Sequence, residues 1–147
     1  MNRPPEYANL IKTNAFAEVQ ANPDACAALI KNARDYHDMV KLLPEEKTLQ
    51  RFTLAYEGFF QIVQAVLEFY GVRTKDAGRN TAILRVAADL AFESGEIAAV
   101  ARAHDRRNNT SYRSPFPPMS RAEADAMISL LSKAIQGAER LVQSSGP

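Results

Sequence analysis

The chain has 147 residues, 46% apolar and 24% charged, a balance that excludes intrinsic disorder and suits one folded domain. Eighteen Lys and Arg against seventeen Asp and Glu leave a net charge of +1. That excludes nucleic-acid binding by bulk charge and requires a local basic patch for any such role. The single cysteine, Cys26, excludes an intramolecular disulfide and fits a reducing compartment. The start Met1-Asn2-Arg3-Pro4-Pro5-Glu6 has no signal-peptide apolar core. The best uncharged run, Gly58 to Leu67, is about half the roughly 20 residues a membrane helix needs. The expectation is a cytoplasmic protein.

In chain order, Tyr7, Leu10 and Ile11 suggest a short N-terminal helix. Asn22-Pro23-Asp24 combines an N-cap, a first-turn proline and a first-turn acid. It opens a helix whose apolar positions Cys26, Leu29, Ala33, Tyr36, Val40 and Leu43 step by threes and fours. After Pro44 and Glu45, a second stripe runs through Leu49, Phe52, Tyr56, Phe59, Val63, Val66 and Tyr70. Gly71 follows where a left-handed C′ residue is wanted. Of the adjacent Phe59 and Phe60, one must leave the core face, which offers it to a dimer surface. Val72 to Arg79 reads as a loop. A helix capped at Asn80 or Thr81 runs to about Phe92, with Ile83, Val86 and Leu90 inward, and Glu93-Ser94-Gly95 interrupts it. Ile97, Val100 and Ala101 begin another. Ser114-Pro115-Phe116-Pro117-Pro118 is a connection. Ser120-Arg121-Ala122-Glu123 has capping-box spacing and starts the last helix at about Arg121, with Ala124, Met127, Leu131, Ala134, Ala138 and Leu141 on one stripe. No alternation of period two is evident, so strands are not expected. The prediction is an all-α, antiparallel four-helix bundle whose third position is split into two shorter helices, with a short extra N-terminal helix. It is a single domain over 1–147, its core over about 23–143 and residues 1–20 peripheral.

The most informative stretch is Ala103 to Arg113. The stripe Ile97, Val100, Ala101 continues to His104, Asn108 and Ser111, and Arg107 and Tyr112 bracket these on a continuous helix. An inward ridge thus turns from apolar to hydrogen-bonding within one turn. Inward polar groups cost about 1–3 kcal/mol each if unpaired, so they pair with each other, line a wet groove or meet a second chain. A plain helix end with solvated arginines is the other reading. Arg106 and Arg113 fall on the opposite face and are expected in solvent.

Ala103-His104-x-x-Arg107-Asn108-x-x-x-Tyr112 resembles the signature of the HEPN superfamily (higher eukaryotes and prokaryotes nucleotide-binding). That signature is an arginine, usually followed by Asn or Asp, with a histidine four to six residues further on and tyrosine there in several branches. Leu54-Ala55-Tyr56-Glu57-Gly58 through Ala65, then Gly71-Val72-Arg73, then Gly78 before a new helix, are similar to the second helix and following loop of these proteins. The resemblance covers about Asp24 to Val142. It implies a helical bundle, a homodimer with the two motifs facing each other, and metal-independent endoribonuclease activity in toxin–antitoxin or phage-defence systems. It also implies a small nucleotidyltransferase as antitoxin partner. Other members have lost catalysis and serve as binding or scaffold domains.

Metal-independent RNA cleavage needs a base for the ribose 2′-OH, a cation for the phosphorane and an acid for the leaving oxygen. On the resemblance, Arg107 is the phosphate cation, with a planar fork suited to that task, and Asn108 orients ribose or arginine. Tyr112 stands where active members carry histidine. At an ordinary pKa near 10 it is ionised to about one part in a thousand at pH 7, a handicap of about 4 kcal/mol as a base. His104, one turn from Arg107, is the substitute base or a structural group. Arg107, His104 and Tyr112 are thus the catalytic candidates; Asn108, Ser111 and Arg79 are the candidates for RNA or nucleotide binding. Ser114 stands where neutralised members carry the tyrosine that accepts a nucleotide. Arg73, Lys75 and Arg79 make the loop through Asp76-Ala77-Gly78-Arg79-Asn80 basic, and it lines the same groove as Arg107 on this reading. His37, His104 and Cys26 offer no metal-ligand spacing, so neither metal nor cofactor is expected. The expected function is a dimeric domain binding RNA or nucleotide, as an endoribonuclease with weakened catalysis. The alternative is a non-catalytic protein–protein interaction module.

Overall fold

The computed structural model describes residues 3–75, 78–112 and 114–144, with side chains for all of these except 111 and 112. Among them are six helices and two short strands: α1 (Pro5–Lys12), β1 (Phe16–Glu18), α2 (Pro23–Leu42), α3 (Thr48–Tyr70), β2 (Val72–Thr74), α4 (Arg79–Asp89), α5 (Ser94–Tyr112) and α6 (Arg121–Ser144). The architecture is the expected all-α bundle with a short N-terminal helix. Helices α2, α3 and α6 fill the first, second and fourth positions, and α4 with α5 fills the third. No described helix is long and apolar enough to cross a membrane.

Helix boundaries follow local chemistry. Asn22 caps α2 by accepting from the Ala25 amide at 3.0 Å. Gly71 ends α3 in the left-handed region at φ 72°, where a Cβ would be strained. Ser120 and Glu123 form the reciprocal pair that opens α6: the Glu123 amide donates to Ser120 Oγ at 3.0 Å, and the Ser120 amide donates to Glu123 Oε2 at 2.8 Å. Helix α4 departs from the expectation. It starts at Arg79 with Gly78 as its N-cap and ends at Asp89, and neither Asn80 nor Thr81 caps it. Helix α3 starts at Thr48 rather than Glu45.

Helix α3 is the centre. It packs against α2, α6, α4, α5 and β2. Its buried stripe includes Phe52, Tyr56, Phe59, Val63 and Val66, each at most 2% exposed. In α6 the stripe Ala124, Met127, Leu131, Ala134 and Ala138 is buried as spaced. In α2, Ile30 takes the core place expected of Leu29. Gly58 lies where three helices meet: a Cβ there would stand 2.9 Å from Tyr36 Cβ of α2 and 3.0 Å from a Leu131 methyl of α6.

Two expectations are corrected. Strands do occur: β1 and β2 pair antiparallel, with Phe16 opposite Thr74 and Glu18 opposite Val72, so part of the expected 72–79 loop is a strand. The N-terminal segment also contributes to the core, since Tyr7 and Phe16 are at most 1% exposed and belong to the same apolar cluster as α3. Arg3 fastens this segment to the end of α3. Its Nε donates to the Tyr70 carbonyl at 2.7 Å, and it pairs with Glu18. The Val19 amide donates to the Gly71 carbonyl and the Lys75 amide to that of Ala15. A Cβ on Gly78 would lie 2.2 Å from the Ala15 oxygen, so the ribbon and the start of α4 fit only with glycine there.

Gly58 generates a stability prediction. The Tyr36 Cβ is anchored to its backbone and cannot swing aside, so Gly58→Val forces α2 away from α3. Overpacking of this kind costs about 1–3 kcal/mol. A lowered melting temperature by circular dichroism is the expected outcome, and an unchanged one contradicts the triple-helix contact.

Candidate functional site

Helix α5 runs without interruption through Arg107 to Tyr112. Its start is fixed by Glu96, whose Oε1 accepts from the Glu93 amide at 2.9 Å. The inward stripe therefore continues past Val100 to His104, as its spacing predicts. Both residues are buried, at 2% and 7% exposure.

His104 meets Tyr56 of the α3 stripe. The Tyr56 hydroxyl and His104 Nδ1 are 2.7 Å apart, and the two rings lie 28° from parallel. On the other side of the imidazole, Asn108 Nδ2 stands 3.3 Å from Nε2. A neutral imidazole donates from one ring nitrogen and accepts at the other, and the Tyr56 hydroxyl and the Asn108 amide are partners for these two roles. Both nitrogens of a buried ring are thus engaged, which removes the desolvation cost of leaving either unpaired. Burial holds the His104 pKa below its ordinary value, helped by the charges of Arg79 and Arg107 and opposed by Asp105. The ring is neutral at pH 7. Burial raises the Tyr56 pKa, against the charges of Arg79 and Arg107 and with that of Glu57.

Two arginines reach this pair from different elements. Arg107 Nη2 donates to Glu57 Oε1 at 3.0 Å, and its guanidinium carbon lies 5.2 Å from the Tyr56 ring centroid. Arg79, the first residue of α4, places its guanidinium carbon over the Phe60 ring, 3.8 Å from its centroid. Phe59 is buried, and Phe60 is the neighbour that leaves the core. The charges of both arginines bear on Tyr56 and His104. The structure therefore brings together His104, Arg107, Asn108 and Arg79, four of the six predicted site residues. The other two, Ser111 and Tyr112, have their side chains outside the described residues, as has Arg113 entirely; so do Asp76 and Ala77 of the basic loop.

Sequence reasoning passed over two members. Its spacing places Tyr56 in the core, which is correct for its ring; its hydroxyl still needs a partner when buried, and that is the available signal. Glu57 follows it, one helix step off the buried stripe. Arg106 is also corrected. Instead of facing solvent it is 15% exposed, pairing with Glu123 at 3.0 Å and donating to the Pro117 carbonyl at 2.6 Å. It fastens the α5–α6 connection. His37 is half-buried.

Among the described residues, no group of three or more His, Cys, Asp or Glu is placed to hold a metal ion. A cavity of about 570 Å³ between α2, α6 and the end of α3 is lined by Cys26, Ile30, Phe69 and Val142, with Arg34 and Glu139 among its charged residues. It contains none of the predicted site residues.

The buried imidazole makes stability depend on pH. The unfolded chain takes up a proton on His104 as pH falls through about 6.5, whereas the folded chain does so only at lower pH. The unfolded state binds more protons in that window, so stability is full above it and falls as pH drops. His37 is shifted in the same direction, chiefly by burial. The expected outcome of urea unfolding between pH 5 and 7.5 is a loss of stability toward acid. That loss shrinks in His104→Gln relative to His37→Gln, and equal slopes in the two variants contradict the role given to His104.

No protein-family model, curated protein or solved structure matches this chain, and the meaning of the cluster rests on its own residues.

Proposed function

We propose that this chain is a HEPN-like domain that acts as a homodimer and binds RNA or nucleotide through the surface around Arg107, with weakened ribonuclease activity. A toxin–antitoxin or defence setting, with a nucleotidyltransferase-type antitoxin as partner, belongs to the same reading.

The observation that carries it is the contrast between His104 and the arginines beside it. His104 is 7% exposed, with both nitrogens engaged. Reaching a ribose 2′-OH would require it to abandon Tyr56 and Asn108, so it serves as a positioning residue. Arg79 and Arg107 stand partly exposed at the rim of the same cluster. A guanidinium fork held beside aromatic rings suits a phosphate, and Asn108, fixed by His104, offers an amide to a ribose. With His104 committed to the core and tyrosine at position 112, the base is the weak element of the reaction, and binding outlasts cleavage. Any residual cleavage depends on these side chains and persists in EDTA.

Arg107→Ala tests the reading. A charge-assisted hydrogen bond to phosphate is worth about 1.5–3 kcal/mol, so affinity for short single-stranded RNA should fall about tenfold or more. The change in melting temperature should be small, because the Arg107–Glu57 pair is partly exposed. If expression arrests growth of a host, the same substitution relieves the arrest. Unchanged RNA affinity with altered oligomeric state by light scattering supports the interaction-module alternative instead.

A further inference from the structure

The cavity of about 570 Å³ between α2, α6 and the end of α3 lies apart from the polar cluster. Along α2 its wall runs from Pro23 to Arg34, about 16 Å of helix axis. Its floor is apolar: Cys26 and Ile30 are 3% and 5% exposed, and Phe69 of α3 is half-buried. Pockets for small molecules have about 300–1,000 Å³, and an apolar cavity of about 150 Å³ already holds benzene. A floor so little exposed admits a slender occupant, whereas the broad face of another protein would not reach Cys26. Water suits the space poorly. Each ordered water needs about two to four polar partners, and the floor supplies only the weakly polar thiol of Cys26.

The mouth is polar and neutral. Arg34 of α2 and Glu139 of α6 both line the cavity and pair with each other at 3.1 Å. The pair offers N–H donors on one side and a carboxylate acceptor on the other, with no net charge. A carboxylate ligand would compete with Glu139 for Arg34, and an ammonium would compete with Arg34 for Glu139. Either would leave one charge of the protein without its partner. A hydroxyl avoids both costs, because it donates to Glu139 and accepts from Arg34. Ala27, exposed on α2 beside the floor, has only a methyl with which to close the opening.

We propose that this cavity binds an uncharged aliphatic molecule, its chain along Cys26, Ile30 and Phe69 and a single hydroxyl head at the Arg34–Glu139 pair. Replacement of water on the apolar walls by methylenes drives the binding, and the head sets the direction of the chain. The cavity shares no residue with the surface around Arg107. It is a second ligand site, and it stands or falls separately from RNA binding.

Isothermal titration calorimetry with the straight-chain 1-alkanols from butanol to octanol tests this, with alkylation by N-ethylmaleimide as a second readout. Cys26 is the one cysteine of the chain, so the added mass reports the cavity floor alone. Saturable binding at one site per chain is expected, tightening about fourfold with each added methylene. Octanoate and octylamine should bind about tenfold more weakly than 1-octanol. At about ten times its dissociation constant, 1-octanol should slow the alkylation about tenfold. Ala27→Trp, which fills the cavity from its exposed rim, should abolish both effects with the melting temperature kept or raised; if circular dichroism shows that variant unfolded, Ala27→Leu takes its place. Three results overturn the proposal: no saturable binding of any alkanol, octanoate binding more tightly than 1-octanol, or a folded Ala27→Trp that binds as the parent does. A dimer by light scattering that Ala27→Trp dissociates, with alkanols inert, also overturns it and assigns the groove to a second copy of the chain.

Discussion

Helix α3 cannot be exposed on most of its circumference. Its aromatic and branched stripe through Phe52, Tyr56, Phe59, Ile62, Val63 and Val66 is at most 2% exposed, and Gly58 lets α2 and α6 approach so closely that no side chain fits between them. With those faces covered, hydrogen-bonding groups from other elements reach α3 only along its remaining edge. Tyr56 sits at that boundary, its ring among apolar neighbours and its hydroxyl on His104. Core packing therefore decides where the polar cluster is, and the polar cluster ties α5 to the core. An unpaired imidazole at that depth would cost about 1–3 kcal/mol; paired on both nitrogens, it joins two helices.

The electrostatic character of the cluster follows from the same burial. A neutral histidine between two arginines avoids a third positive charge in a confined space. If it were protonated, the ring would lose its one acceptor nitrogen, and its added charge would repel both guanidiniums. Asn108 and Arg107 are adjacent on α5, so fixing the amide through His104 also limits the motion of the helix segment that carries the guanidinium.

The long helices were legible because their apolar positions repeat over three to seven turns and their ends carry separate chemical marks: Asn22 before Pro23, Gly71 after Tyr70, Ser120 with Glu123. The strands were not, because each has only three residues, too few for alternation to register. Their pairing joins Phe16 with Thr74, a relation no local window contains. The same distinction holds at the site. His104, Arg107 and Asn108 share a face of one helix, so spacing alone groups them. Tyr56 and Glu57 join from α3 through tertiary contact, and nothing local distinguishes a core tyrosine whose hydroxyl meets the backbone from one whose hydroxyl meets a histidine. Arg106 shows the reverse error. Its spacing places it on the outer face, but its partners, Glu123 at the start of α6 and the Pro117 carbonyl of the connection before it, fold back over it.

The β1–β2 ribbon has a mechanical meaning. Arg3, Ala15 and Val19 grip the end of α3 and the strand after it, and the Ala15 carbonyl fills the space in front of Gly78. Arg79 begins its helix at the next residue, so its seat on Phe60 is braced by a segment made more than sixty residues earlier in the chain. The N-terminal strap acts as a tensioner: slackening it, by a cut or by a competing strand, would unseat one of the guanidiniums without touching any other residue of the polar cluster.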